Sequence, residues 1–139
     1  MKKNSGFETK LIHSGMIDDQ FGSATVPIYQ TSTFAFSSAE EGAKCFSGES
    51  DGYIYTRIGN PTIGALENLV ADLENGFGAV ATSSGMSAVN TIYFALLKQG
   101  DHIINTDAVY GPARSLMENN YSQFGVESTY LKTSNLEEI

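Results

Sequence analysis

Three short stretches of this 139-residue chain carry residue types that can do chemistry together. The first is Ser83-Ser84-Gly85-Met86, which follows an apolar run and opens a helical pattern. The first amides of a helix have no partner inside it, and the helix dipole makes that end electropositive, so an anion such as a phosphate fits there. Gly85 permits close backbone approach. The same tetrapeptide also reads as an ordinary helix start, with Ser83 or Ser84 as its cap. The second stretch runs from Tyr53 to Pro61 and carries Arg57, one of two arginines in the chain, beside two tyrosines. An arginine fork grips a phosphate through two parallel hydrogen bonds. Taken alone, Arg57 equally suits a surface pair with Asp51 or Glu49, the tyrosines merely packing. The third stretch, Asp107 to Pro112, predicts a loop after a strand, where open α/β sheets place ligand-contacting groups. Tyr110 there has the shape to stack on a planar ring, or simply to pack.

The elements that must position these residues follow from pattern. Ser38-Ala39-Glu40-Glu41 has the form of a capping box and predicts a short helix to about Phe46. Asn60 as cap and Pro61 in the first turn predict a helix to about Glu74, with Leu66, Leu69, Val70 and Leu73 on its inward face. Ala79 to Thr82 predicts a strand, and a helix follows with Ala88, Val89, Ile92 and Leu96 on one side. Gly100-Asp101 breaks the chain before a second strand, His102 to Thr106. Pro112 then opens a helix that faces the core with Leu116, Met117, Tyr121 and Phe124; Gly125 ends it, and Val126 to Leu131 predicts a third strand. Alternation of this kind implies parallel strands and an α/β sheet, here about three strands long and with its last strand as an open edge. Residues 1 to 37 keep no period and predict an extended arm lying on another surface, such as another subunit.

Composition narrows the function classes. A net charge of −8 and only eight Lys plus Arg oppose a nucleic-acid partner or an acidic membrane, so an anionic ligand must be held locally. The first residues lack the apolar stretch of a secretion signal and no run approaches a membrane span, which makes the cytoplasm the expected location. No Cys/His spacing suits a metal. The single cysteine, Cys45, is expected to be packed rather than reactive, His13 and His102 to be structural, and Glu137-Glu138 to be a solvated face.

Together, Tyr55-x-Arg57-x-x-Asn60-Pro61-Thr62, Ser84-Gly85-Met86 and Tyr110-Gly111, with Pro27 to Phe34 and Gly76 to Met86, resemble the Cys/Met-metabolism family of enzymes dependent on pyridoxal 5′-phosphate (PLP). The resemblance implies the α/β fold of PLP-dependent transferases, of the aspartate-aminotransferase-like type, incomplete here and preceded by the arm. It divides the chain into residues 1–59, an arm and cofactor-contacting loop for subunit association, and 60–139, the first part of the PLP-binding domain. It implies that Ser84, Gly85 and Met86 contact the PLP phosphate, that Tyr55 and Arg57 reach the phosphate of a neighbouring subunit, and that Tyr110 stacks on the ring and assists proton transfer. A homotetramer built from two dimers, acting on a sulfur amino acid, is the implied assembly.

Within the family, Ile54 to Arg57 and Thr133 to Leu136 look most like methionine γ-lyases, which yield methanethiol, 2-oxobutanoate and ammonia. Pro112-Ala113-Arg114 after Tyr-Gly is more reminiscent of cystathionine β-lyases. Cystathionine γ-lyase, cystathionine γ-synthase and O-acetylhomoserine sulfhydrylase stay open. None of the six lysines has the Ser-x-Thr-Lys context in which the family carries its cofactor, so that residue is expected beyond position 139. An inactive fragment that only associates with other subunits, and a phosphate-binding module without imine chemistry, are the readings from other classes.

Overall fold

A computed structural model describes residues 5–132. They divide into two compact units, with the boundary between Ala81 and Thr82.

The first unit holds three helices: α1 (Phe7–His13), α2 (Ala39–Ser47) and α3 (Pro61–Leu73). Helix α1 is absent from the sequence expectation, and it is short enough that the contacts it makes, rather than propensity, must hold it. Lys10 forms an ion pair with Asp72 at 2.8 Å, and the Ser14 hydroxyl donates to the same carboxylate. Gly15, at φ +73°, then passes against the Ala65 carbonyl where a side chain would collide. This contact rotates α3 from its expected orientation. Ala65 is buried and Leu69 half-buried, while Leu66 and Val70 stay exposed, because α1 covers the Ala65–Leu69–Asp72 side.

Helix α2 begins as expected. The Ser38 hydroxyl accepts the Glu41 amide at 3.1 Å, but the Glu41 carboxylate is engaged by the Ser50 hydroxyl at 3.0 Å, so it tethers the following loop. Cys45 is buried and packed close against Gly52.

The predicted strand at Ala79 to Thr82 does not form. A strand needs a ladder partner, and the Ala81 amide instead donates to Glu67 Oε1 at 2.8 Å, leaving Val80 four-fifths exposed.

In the second unit, α4 (Gly85–Leu96), β1 (His102–Thr106), α5 (Gly111–Asn119), a 3₁₀ turn (Tyr121–Phe124) and β2 (Glu127–Leu131) follow in order. The two strands pair in parallel, from His102 opposite Glu127 to Thr106 opposite Leu131. Met117, Tyr121 and Val126 make the buried core, against which Tyr93, Leu97, Ile103 and Leu116 pack. Tyr121 meets Tyr93 edge-on at 5.5 Å and donates to the Asn90 side chain at 3.0 Å. Burial, with Tyr130 and Tyr121 nearby, pushes the Tyr93 phenol above its ordinary pKa.

Two expectations fail in this unit. The α4 face of Ile92 and Leu96 is exposed, since Tyr93 of α4 and Leu97, the residue that caps its end, are turned to the core. The helix opened by Pro112 stops at Asn119; the tighter 3₁₀ turn swings Phe124 outward before Gly125, at φ +76°, releases the chain into Val126. His102 Nε2 lies 2.8 Å from Thr129 Oγ1, in keeping with a structural role. Thr133 to Leu136 and Glu137-Glu138 lie outside the described residues.

Candidate functional site

Tyr55 and Arg57 lie on a tight turn between a bridge and a helix cap. Tyr55 makes an isolated antiparallel bridge with Thr33, flanked by Phe34 N–H to Ile54 O at 3.2 Å and Thr56 N–H to Ser32 O at 2.9 Å. Beyond the bridge the chain reverses, and both the Ile58 and Gly59 amides donate to the Tyr55 carbonyl, at 2.8 and 3.0 Å. The turn brings the Arg57 guanidinium over the Tyr55 ring, 5.0 Å from its centroid. The pairing of Arg57 with Asp51 or Glu49, the bland alternative, is not formed; among the described residues Arg57 makes no ion pair. Arg57 as a residue is exposed, and no carboxylate of the described residues occupies its hydrogen-bonding fork.

The floor of this turn is Asn60, the sole buried polar residue among those described, at 3% exposure. Its Oδ1 accepts the Thr62 amide at 2.9 Å as the cap of α3. Its Nδ2 donates to the Tyr29 carbonyl at 2.9 Å and to the Thr56 hydroxyl at 3.0 Å. Thr62 completes the joint, its hydroxyl donating to the Pro27 carbonyl at 2.8 Å and accepting the Tyr29 amide at 2.9 Å. The segment 27–31 is thus bolted to the turn, and residues 28–31 with Tyr55, Arg57, Asn60 and Ile63 line an open cavity. Sequence pattern identifies Asn60 as a cap only. The further signal was the residue type itself: a cap needs one acceptor, and asparagine brings two donors besides.

In the second unit the Ser83–Met86 segment starts α4. Ser84 is the cap, its side chain accepting the Ser87 amide at 3.1 Å, while Thr82 Oγ1 donates to the Ser84 carbonyl at 2.8 Å. The cap leaves the helix start itself open. Ser84 uses one lone pair inward and keeps its hydroxyl proton, and Gly85 and Met86 are the first helical residues, whose amides have no intrahelical acceptor. Among the described residues, no atom beyond the local backbone lies within 4 Å of where a Gly85 side chain would begin. Tyr110 caps α5 just past the carboxyl end of β1, its carbonyl accepting the amides of Ala113 at 2.9 Å and Arg114 at 3.1 Å. Its ring is two-thirds exposed. Arg114, by contrast, is committed: it pairs with Glu118 at 2.8 Å and lies 4.1 Å above the Tyr130 ring.

Each unit by itself offers donors that suit part of a phosphorylated, planar, aromatic ligand. In the first unit an exposed arginine with no ion pair among the described residues suits an anion; in the second, the two helix-start amides suit an anion and the Tyr110 ring a planar group, in a chain whose charge is otherwise strongly negative. Among the described residues no cluster of His, Cys, Asp and Glu suits a metal, and no helix is long and apolar enough to cross a membrane.

The sequence profile of the family described as "Cys/Met metabolism PLP-dependent enzyme" matches residues 8–139. An L-methionine gamma-lyase of Fusobacterium nucleatum subsp. nucleatum is 48% identical over 99% of this chain and 35% of its own length. An O-acetyl-L-homoserine sulfhydrylase of Corynebacterium glutamicum is 39% identical over 91% of this chain and 29% of its own length. The crystal structure of a cystathionine gamma-lyase from Lactobacillus plantarum complexed with L-serine superposes with a TM-score of 0.81 at 39% identity, covering 96% of this chain and 32% of that one. The fold is therefore that of the PLP-dependent transferases, and the chain spans about a third of the length of the curated relatives it matches.

Proposed function

The chain belongs to the Cys/Met-metabolism family of PLP-dependent enzymes, and from that membership we propose that it serves a carbon–sulfur lyase acting on sulfur amino acids. We assign γ-elimination from methionine as its reaction. The observation that carries this reading is Arg57, exposed, without an ion pair among the described residues and fixed beside Tyr55 on a braced turn. The alternative reactions are those of cystathionine β- and γ-lyases, cystathionine γ-synthase and O-acetylhomoserine sulfhydrylase; the sulfhydrylase and cystathionine γ-lyase relatives favour keeping two of them.

When bound, PLP supplies an electron sink for the pair released at the substrate's α carbon. The residues of this chain do the holding. Arg57 binds the phosphate through its fork, and the Tyr55 hydroxyl donates alongside it, both acting on the cofactor of a neighbouring subunit. The Ser84 hydroxyl and the Gly85 and Met86 amides bind the phosphate of the chain's own site, aided by the α4 dipole. Tyr110 stacks on the ring, orienting it, and its phenol holds the proton that passes to the leaving sulfur.

In this reading residues 1–59 are the arm and cofactor-contacting loop for subunit association, and 60–139 the first part of the cofactor-binding domain. The assembly is a cytoplasmic homotetramer, a dimer of dimers with shared sites. The test is to assay the protein made from its complete reading frame against methionine, cystathionine, and O-acetylhomoserine with sulfide. Methanethiol and 2-oxobutanoate from methionine, at the highest kcat/KM of the three, are expected. A clear preference for cystathionine would move the assignment to the alternative.

A further inference from the structure

The turn that carries Tyr55 and Arg57 is nearly all at the surface, yet it rests on one buried carboxamide. Tyr55 is 37% exposed and Arg57 is exposed, so little apolar packing fixes either side chain. Asn60, directly below, is 3% exposed and uses all three of its available groups on three different segments: the start of α3 at Thr62, the extended segment at Tyr29, and the turn itself at Thr56. Thr56 passes the linkage on, its hydroxyl donating to the Thr31 carbonyl. Those two residues therefore form one strut, from helix cap through the turn to the segment that lines the far side of the cavity.

We infer that Asn60 is a positioning residue for Tyr55 and Arg57, acting through Thr56 and the Tyr29 carbonyl and touching no ligand itself. The inference rests on the reading of Tyr55 and Arg57 as phosphate-binding groups, and deepens it by naming what sets their orientation. A cap alone does not require asparagine: serine or aspartate satisfies the Thr62 amide equally well. What asparagine adds is two donors in a dry place, where a carbonyl left without its donor is costly. Replacement by aspartate separates the two roles. It keeps the acceptor for Thr62 and turns both donors into an acceptor facing the Tyr29 carbonyl and Thr56.

The experiment uses the full-length enzyme and two readouts, the PLP dissociation constant and the rate of tryptic cleavage after Arg57, with cleavage after Arg114 in α5 as an internal control for global unfolding. Asn60→Asp should raise cleavage after Arg57 about tenfold, the equivalent of one or two lost hydrogen bonds, and weaken PLP binding by a similar factor. Cleavage after Arg114 should not change. Thr56→Val, which removes the middle of the strut and leaves the cap intact, should move both readouts the same way by about threefold, and it replaces Asn60→Asp should that variant unfold. Because the strut acts through Arg57, the Arg57→Ala, Asn60→Asp pair should lose no more PLP affinity than Arg57→Ala alone. Unchanged cleavage after Arg57 in both Asn60→Asp and Thr56→Val would overturn the positioning role, whatever Arg57→Ala does. Faster cleavage together with normal PLP binding in Arg57→Ala would keep the positioning role and remove the phosphate reading instead.

Discussion

The two units keep their candidate site residues in place by different physics. In the first unit, the joint beneath Tyr55 and Arg57 is a set of hydrogen bonds converging on Asn60 and Thr62, and α1 is fixed on α3 by Lys10 and Ser14 at Asp72. In the second, Met117, Tyr121 and Val126 close an apolar core on which α4, α5 and the two strands rest. Hydrogen bonds are directional, so a polar joint fixes an angle with few atoms. Apolar packing is nondirectional and scales with area, so it fixes a layer. The difference suits what each unit presents: a pair of side chains that must point one way, against helix starts whose amides are aimed by the helix axis itself.

The strongest way to sharpen this contrast is to hollow the packed unit. Met117 is 1% exposed, and Met117→Ala should cost ~2–5 kcal/mol, read as a lower denaturation midpoint in urea. A loss under ~1 kcal/mol would mean that this core is not what holds the second unit together. Next in size is Arg57→Ala, which removes a charged hydrogen-bonding fork worth about 1.5–3 kcal/mol to a bound phosphate. PLP affinity should fall roughly ten- to hundredfold while the urea midpoint stays put, since Arg57 is exposed and carries no ion pair among the described residues. Tyr55→Phe loses a single neutral hydroxyl and should cost only a few-fold. Equal stability losses in Arg57→Ala and Met117→Ala would break the distinction between a presented side chain and a packed one.

How much of this was legible beforehand differs between the units for the same physical reason. Strand β1, the caps Ser38, Asn60 and Ser84, and the burial of Met117 and Tyr121 all follow from local spacing, because caps and periodic apolar residues act within a turn or two of the chain. The strand expected at 79–82 failed because pairing is non-local, and the acceptor that takes the Ala81 amide, Glu67, lies fourteen residues away. Helix α1 and the rotation of α3 were invisible for a related reason: each depends on a contact about sixty residues apart, Lys10 with Asp72. At the candidate site the residue types and motifs pointed to Tyr55, Arg57, Gly85 and Tyr110. The strut beneath two of them did not show, because Asn60 to Tyr29 spans thirty-one residues.

Gly85 gives a finer cut, since stability and binding should move in opposite directions. No atom lies where its side chain would project, and its backbone is not in the left-handed region. Gly85→Ala should therefore leave stability unchanged or raise it by up to about 1 kcal/mol, as alanine favours a helix and restricts the unfolded chain. A phosphate drawn up to the Gly85 and Met86 amides would meet the new methyl, so PLP affinity should fall several-fold. Thermal denaturation and cofactor titration of one variant check both halves. Unchanged affinity would mean that the α4 start is a cap and nothing more.

The smallest effect concerns the polar pin of the first unit and its dependence on pH. The hydrogen bond from Lys10 first, then that from the Ser14 hydroxyl, holds the Asp72 carboxyl below the usual carboxylate range. A group whose folded pKa is depressed adds stability above its unfolded pKa and loses it as pH falls through the folded one. The contribution of Asp72 should thus be complete at neutral pH and fade below roughly pH 4. Asp72→Asn removes the charge at every pH, so parent and variant should differ at pH 6 and converge toward pH 3 in the hydrogen-exchange protection of α1. The pair lies at the surface, so added salt should also shrink the difference at pH 6. A gap at pH 3 as large as that at pH 6 would show that the amide disturbs packing at Ser14 and Gly15, and that α1 is seated by shape rather than by charge.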